Sequence, residues 1–127
     1  MNKDVWIVAA DAICADMNTQ LEGVAEPASV EEFEVAQSQV EQVWTQGLTD
    51  LKDLGLPTGD EAGAAEVVEA FDELVTVSFE WGDAFVEAGM PTELTGEVEA
   101  LFRELEAAAS NATRLAEAYG LDSCFTA

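Results

Sequence analysis

Residues 60–90 read DEAGAAEVVEAFDELVTVSFEWGDAFVEAGM and give the clearest indication of the fold class. Their apolar residues recur at spacings of three and four, which is the period of one face of an α-helix. The face consists of Ala64, Val67, Val68, Phe71, Leu74, Val75, Phe79, Phe85 and Val86, with Gly82 in the same seam. The segment VTVSF, residues 75–79, favours a strand when taken alone, but it lies inside this longer pattern. We therefore predict a helix over about residues 60–88.

Helix breakers flank this segment and separate it from two further helices. The segments GLPTG at residues 55–59 and AGMP at residues 88–91 stop a helix on either side. Similar apolar faces before and after them predict helices over about residues 30–54 and 93–119. Those faces consist of Phe33, Ala36, Val40, Val43, Trp44, Leu48, Leu51 and Leu54, and of Leu94, Val98, Leu101, Phe102, Leu105, Ala108, Ala112, Leu115, Ala116 and Tyr119.

Residues suited to helix ends stand at the predicted boundaries. Ser29 is a good N-cap, and Glu32 three residues later completes a capping box. Thr92 is the expected N-cap of the last helix, and Gly120 stands where a left-handed C-cap glycine belongs. These signals fix the predicted ends of the second and fourth helices.

A fourth helix is predicted at the start of the chain, over about residues 4–22, and Gly23 and Pro27 end it. Its expected buried face consists of Val5, Val8, Ala12, Ile13, Met17 and Leu21. Four helices joined by short connections favour antiparallel neighbours. We predict an all-α fold with one domain over residues 1–127, an antiparallel four-helix bundle in up-down-up-down order.

The composition excludes several classes of function. The 127 residues contain 4 Lys and Arg against 27 Asp and Glu, a formal net charge of −23, and no histidine. Nucleic acids and anionic membrane surfaces would be repelled, because binding to either needs a basic surface. Histidine-based catalysis and histidine-ligated metals are impossible. No run of 18 apolar residues occurs, so no transmembrane segment is expected.

The many carboxylates do not form a recognisable site. The spacing of an EF-hand is absent, so no dedicated metal site and no cofactor is predicted, and only weak, diffuse binding of Ca²⁺ or Mg²⁺ to surface carboxylates is expected. Paired carboxylates can act as general acid and base, but they need a cleft and a raised pKa that nothing in the sequence indicates. We therefore expect no enzymatic activity.

The two cysteines bear on where the protein works. Cys14 lies on the first helix and Cys124 follows the last, and these helices are neighbours in an up-down bundle. A disulfide between them is geometrically reasonable, while two buried free thiols in a cytosolic protein are the alternative. The first residues lack the apolar stretch of a signal peptide, so either the protein is cytosolic or the chain is a mature form.

Three segments of the chain, AADAICAD at residues 9–16, LKDLGLP at residues 51–57 and AEAYGLDSC at residues 116–124, resemble a family of small exported helical proteins of actinobacteria, whose members are often lipoproteins. The first segment is similar to their A-D-A-I-C opening, and the third is similar to their G-L-x-x-C ending. The second segment resembles the end of their second helix. The resemblance implies export and a Cys14–Cys124 bridge, but it brings no catalytic residues. The chain departs from the family in lacking a lipobox and in being far more acidic.

Aromatic residues supply the remaining candidate site. Trp44 lies near the seam of the second predicted helix, and Phe79, Trp81 and Phe85 follow one another in the third. Packing in or beside the core is one interpretation of these residues. An apolar patch or small pocket is the other, and Gly82 supports it, because a glycine inside a helix costs about 1 kcal/mol relative to alanine.

Two functions remain open. The first is a non-enzymatic exported module that binds a protein partner at the cell envelope, such as an accessory subunit of a membrane-associated complex. The alternative is a binding protein for a small apolar ligand or a divalent cation. A cavity lined by the four aromatic residues would favour the ligand-binding protein. An exposed apolar patch without a cavity would favour the module that binds a protein partner. The acidity could also reflect adaptation to high salt and mark no site.

The net charge leads to a prediction about stability. Self-repulsion destabilises the folded chain, and four basic residues cannot offset it, so moderate salt or divalent cations should raise the melting temperature. Thermal unfolding followed by circular dichroism at low and near-molar salt measures the effect. A melting temperature that does not change with salt would contradict it.

Overall fold

The computed structural model describes residues 1–124, and within them it contains four α-helices and no strand. Residues 125–127 of the predicted domain lie outside the described residues. The helices are α1 (Lys3–Glu22), α2 (Val30–Asp53), α3 (Glu61–Glu87) and α4 (Gly96–Tyr119). They form the predicted antiparallel four-helix bundle in up-down-up-down order, and the β-prone segment 75–79 is helical.

The contacts between helices run in antiparallel register. Near the start of α2, Phe33 lies against Phe85 near the end of α3, with 5.4 Å between ring centroids. Near the end of α2, Lys52 forms an ion pair of 3.0 Å with Asp72 in the middle of α3. Each helix packs along the next one in the chain, and the interface between α3 and α4 is the most extensive.

Two predicted helix ends are confirmed in atomic detail. The Ser29 hydroxyl accepts a hydrogen bond from the N–H of Glu32 at 3.2 Å. The Glu32 carboxylate accepts one from the N–H of Ala28 at 2.7 Å, one residue earlier than a regular capping box requires. At the end of α4, Gly120 has a φ of 101° and donates to the carbonyl of Ala116, as a left-handed C-cap does.

The predicted start of α4 is wrong by three residues. Thr95, not Thr92, is the N-cap, and the helix begins at Gly96. Gly96 has a φ of 60°, in the left-handed region, so a helix begun at Thr92 would be broken there. The connection from α3 also contains Met90, whose φ of 54° is unusual for a residue with a side chain.

The predicted buried face of α1 is right in part: Met17 is buried and Ile13 packs against the core, but the first turns of the helix differ from the prediction. Val5 and Val8 are 53% and 71% exposed, whereas Trp6, Ala10 and Cys14 are buried. Apolar residues surround the first turns of this helix on nearly every side, so their spacing could not select a face. The volume of the indole and the position of the cysteine determine which side turns inward.

Trp6 closes one end of the bundle. Its side chain is fully buried, and its indole N–H donates to the carbonyl of Gly55 at 2.9 Å. The ring packs edge-on against Tyr119 of α4, with 5.5 Å between centroids. The Tyr119 hydroxyl in turn donates to the backbone carbonyl of Asp60 at 3.4 Å. We call this end of the molecule, which joins all four helices, the closed end.

The predicted bridge is present, and it fastens α1 to the chain that follows α4. Cys14 and Cys124 are disulfide-bonded, with Cα atoms 5.0 Å apart, and both residues are buried. The Asp11 carboxylate accepts hydrogen bonds from the N–H groups of Asp122 and Ser123, at 3.0 and 2.7 Å. The chain after Gly120 therefore runs back along α1.

We predict that removing the bridge destabilises the protein strongly. The bond links residues separated by 110 positions, and the chain-entropy model gives about 4–5 kcal/mol for a loop of that length. Urea unfolding of a Cys14→Ala, Cys124→Ala variant should therefore show a much lower midpoint than the oxidised protein. Reductant should lower the midpoint of the natural chain and leave that of the variant unchanged. Equal midpoints for the variant and the oxidised protein would contradict the prediction.

A second prediction concerns Tyr119, the only tyrosine in the chain. Burial raises the pKa of its phenol to about 12, and the carboxylates of Asp60 and Glu61 act in the same direction. Because a phenol has a pKa of about 10 in an unfolded chain, the stability that Tyr119 contributes is complete below pH ~10 and is lost as the pH rises towards 12. Ultraviolet absorbance of the phenolate measures this titration directly. A midpoint near 10 in the folded protein, equal to that in urea, would show that the phenol is not shielded.

Candidate functional site

The end opposite the closed end is packed loosely. There α1 ends at Glu22 and α2 begins at Val30. The buried residues of α2 lie only in its last two turns, and the aromatic side chains nearer its start and along the second half of α3 are half-buried. We call this the open end. Its half-buried aromatic residues are Phe33, Trp44, Phe79, Trp81, Phe85 and Phe102.

A cleft of about 410 Å³ lies at the open end, between α2, α3 and the connection from α1 to α2. We call it the aromatic cleft, because Phe33, Trp44, Phe79 and Trp81 line it together with aliphatic residues. Glu26 is the one charged residue among the described residues that line it. The volume lies in the range of small-molecule and anchor-residue pockets.

The lengths of the helices explain why the cleft is uncovered. Trp6 of α1 lies beside Gly55, just after α2, and Leu21 and Trp44 line the same space farther along. At 1.5 Å of rise per residue, α1 ends opposite about residue 39, so roughly the first ten residues of α2 extend past it. The apolar seam between α2 and α3 is therefore not covered by α1 there, and residues 24–27 of the connection line the cleft beside it.

The four aromatic residues named from the sequence lie in this region, but they do not share one role. Trp44, Phe79 and Trp81 line the cleft, and Trp44 lies 6.3 Å from Phe79 between ring centroids. Phe85 is not among the lining residues. It stacks on Trp81 with 4.9 Å between centroids and 15° between planes, and it also contacts Phe33. Phe85 thus supports two walls of the cleft.

Sequence reasoning missed Phe33 as a site residue. It was assigned to the apolar face of α2 together with Trp44, eleven residues later on the same helix. The antiparallel order of α2 and α3 could have identified it, because this order brings the start of α2 opposite the end of α3 and so places Phe33 against Phe85. Phe102 of α4 was missed as well, and its ring lies 5.9 Å from that of Trp81.

Trp81 has an unusual polar group. Its indole Nε1 is buried, and no described residue accepts its hydrogen bond. A buried donor without an acceptor costs about 1–3 kcal/mol. Trp81, which lines the cleft, therefore contains a desolvated N–H that lowers the stability of the fold.

Gly82 brings a polar side chain close to the cleft. A Cβ atom at this position would lie 2.4 Å from the amide nitrogen of Gln37. The absence of a side chain at Gly82 of α3 therefore allows the Gln37 side chain of α2 to lie against α3. Gln37 donates to the Asp83 carboxylate at 3.2 Å. The Gln37 amide, hydrogen-bonded to the Asp83 carboxylate, thus forms one edge of the apolar cleft.

Carboxylates flank the cleft on both sides. Beyond Gln37, a depression is lined by Glu34, Glu41, Asp83 and Glu87. Beyond Ala36 and Pro27, a second depression is lined by Glu26, Glu31 and Glu32, together with Val35, which is 60% exposed. We call these two surfaces the acidic flanks.

The basic side chains of the protein are engaged away from this surface. Lys3 pairs with Asp60 at 3.6 Å and Lys52 with Asp72 at 3.0 Å. On α4, Arg103 pairs with Glu99 and Arg114 donates to Asn111. The negative potential of the acidic flanks is therefore not neutralised by a neighbouring lysine or arginine of the described chain.

Among residues 1–124, no three histidine, cysteine, aspartate or glutamate side chains are grouped so that they could hold a metal ion. No helix of the described chain is both long and apolar enough to cross a membrane.

Comparison of the chain with protein-family models, with characterised proteins and with solved structures gives no match. The resemblance to exported actinobacterial proteins therefore stays a prediction from the sequence.

Proposed function

We propose that this protein is a non-enzymatic, exported binding module whose aromatic cleft holds an apolar, positively charged segment of a partner protein at the cell envelope. The observation that carries the proposal is the cleft itself. Four half-buried aromatic side chains line about 410 Å³ of apolar space, open to solvent, at an end of the bundle that its own helices do not cover.

The aromatic lining supplies affinity for an apolar anchor. Tryptophan and other aromatic side chains are enriched in the residues that dominate binding energy at protein interfaces. Here Phe33, Trp44 and Trp81 are held in place by neighbouring rings and by the helices that bear them. Little side-chain entropy is then lost when a ligand side chain enters.

The acidic flanks select the charge of the occupant. A partner segment that enters the cleft lies beside Glu34, Asp83 and Glu87 on one side and Glu26 and Glu31 on the other. Lysine or arginine on that segment would be attracted, whereas an acidic segment would be repelled. An amphipathic helix with apolar residues on one face and basic residues on the others matches both features.

The shape of the cleft favours a protein segment over a small ligand. A small-molecule site buries most of the surface of its ligand, but this cleft is open and continues onto the acidic flanks through Ala36 and Gln37. The exposed side chain of Val35 extends the apolar surface beyond the cleft. A segment that spans several helical turns can use all of these surfaces together.

The exported location is supported by the disulfide. Disulfides persist in oxidising compartments and are rare in the cytosol of mesophiles. The bond between Cys14 and Cys124 is buried and joins distant parts of the chain, which is typical of a structural bridge. The resemblance of residues 9–16 and 116–124 to exported actinobacterial proteins agrees with this location.

The proposal can be tested with a synthetic peptide. We suggest an amphipathic helix of about 18 residues, with leucine and phenylalanine on one face and lysine on the others, and a matched peptide with glutamate in place of lysine. Calorimetric titration should detect binding of the lysine peptide alone, and the binding should weaken with salt. Equal binding of both peptides, or of neither, would contradict the proposal.

Variants of the protein show where the peptide binds. Ala36→Leu places a larger side chain in the cleft and should weaken peptide binding at least tenfold, which corresponds to about 1.4 kcal/mol. Ala107→Leu, at an exposed position of α4, is the matched control and should have no effect. Asp83→Asn combined with Glu87→Gln should weaken binding about three- to fivefold at low salt, whereas Glu104→Gln combined with Glu106→Gln should not. Unchanged affinity in the Ala36→Leu protein would place the peptide elsewhere.

A further inference from the structure

The side of the bundle between α1 and α4 holds a second space. Each helix packs along its neighbour in the chain, but α1 and α4 do not form a comparably extensive interface among the described residues. At the closed end they are joined by the contact of Trp6 with Tyr119, and near the middle of α1 the disulfide links Cys14, which also lines this space, to the chain that follows α4. Farther from that end, the two helices leave a gap that opens into the bundle interior.

The gap is a hollow of about 300 Å³ to which all four helices contribute. We call it the interior slot. Leu21 of α1, Trp44 of α2 and Leu105 of α4 form part of its walls, and the buried residues Phe71 and Leu74 of α3 also line it. Because these side chains belong to the inner faces of the helices, the slot is part of the core that the bundle does not fill.

The polar groups of the slot carry no net charge. Asn18, Ser78, Thr113 and Ser123 line it, and none of its described lining residues is an aspartate, glutamate, lysine or arginine. The Asn18 amide donates to the carbonyl of Ser123 at 2.9 Å, which fixes this side chain beside the chain that follows α4. Hydroxyl and amide groups such as these can donate to or accept from a ligand.

We propose that the interior slot binds an uncharged molecule with an alkyl chain and a hydroxyl or amide end. The apolar lining suits the alkyl chain, and Ser78 and Asn18 suit the polar end. An anion would meet the field of a chain with a net charge of −23 and would find no described basic residue in the slot. A cation would find no carboxylate there, whereas the acidic flanks offer several. This site does not depend on the function proposed for the aromatic cleft.

The slot and the cleft share part of their lining. Leu21, Trp44 and Ser78 line both spaces. The indole N–H resonance of Trp44 should therefore respond to a ligand in either one. Other residues distinguish them, since Asn18 and Ala109 line only the slot and Ala36 and Gln37 line only the cleft.

Three probes with the same alkyl chain test the proposal: octan-1-ol, octanoate and octylammonium. Octan-1-ol added to the isotopically labelled, oxidised protein should shift the NMR signals of the Trp44 indole and the Asn18 amide and leave those of Gln37 and the Ala36 methyl in place. Contacts between the alkyl chain and the methyl groups of Leu74 and Leu105 should appear in the same spectra. Octanoate and octylammonium should each bind in the slot at least tenfold more weakly than octan-1-ol.

Variants at the slot, at the cleft and at an exposed control position show where octan-1-ol binds. Ala109→Leu places a larger side chain in the slot and should reduce the affinity for octan-1-ol at least tenfold, whereas Ala36→Leu and the exposed control Ala107→Leu should leave it unchanged. The melting temperature of each variant shows whether the bundle is intact. If overpacking unfolds Ala109→Leu, the contacts to Leu74 and Leu105 in the natural chain decide the question. The proposal is overturned if octan-1-ol shifts no slot signal up to its solubility limit, if Ala36→Leu rather than Ala109→Leu abolishes binding, or if octanoate binds equally well.

Discussion

The covalent bond between Cys14 and Cys124 holds α1 in the bundle, and the remaining packing is arranged around it. A four-helix bundle normally secures its first helix by packing it against both neighbours, but here α1 packs extensively against α2 alone. On its other side, the disulfide, the two hydrogen bonds to Asp11 and the contact of Trp6 with Tyr119 replace a long helix interface. Because a covalent bond does not need a continuous apolar seam, the space between α1 and α4 can remain open.

This arrangement produces a gradient of packing along the bundle. At the closed end, the indole of Trp6, the ring of Tyr119 and the buried Pro57 leave little free space, and the polar groups are paired. At the open end, aromatic rings are half-exposed and the Nε1 atom of Trp81 has no described acceptor. The closed end is therefore the more completely packed of the two, and the open end presents apolar surface to solvent.

The sequence predicted most features that depend on local chemistry, although it placed the N-cap of α4 at Thr92 instead of Thr95. The cap at Ser29, the left-handed Gly120 and the breaks between helices follow from a few neighbouring residues, and the structure has them. The inward face of the first turns of α1 could not be predicted, because Val5 and Val8 are as apolar as Ala10 and Cys14, and only tertiary contacts distinguish them. For the aromatic cleft, the sequence predicted the type of residue but not the cleft itself. Its existence depends on the register between α1 and α2 and on the point where α1 ends, and neither follows from periodicity.

The net charge of −23 links the open end to the function proposed for it. α1 ends at Glu22 and leaves part of the seam between α2 and α3 uncovered, and the carboxylates of Glu26, Glu34 and Asp83 line the surfaces at and beside that seam. A partner segment with both apolar and basic residues would cover the apolar seam and would also bring positive charge to these carboxylates. A partner segment that covers the open end would therefore lie among these carboxylates, and their charge determines the charge expected of it. In the interior slot, where the described lining has no charged side chain, that selection does not operate, and an uncharged molecule is the better match.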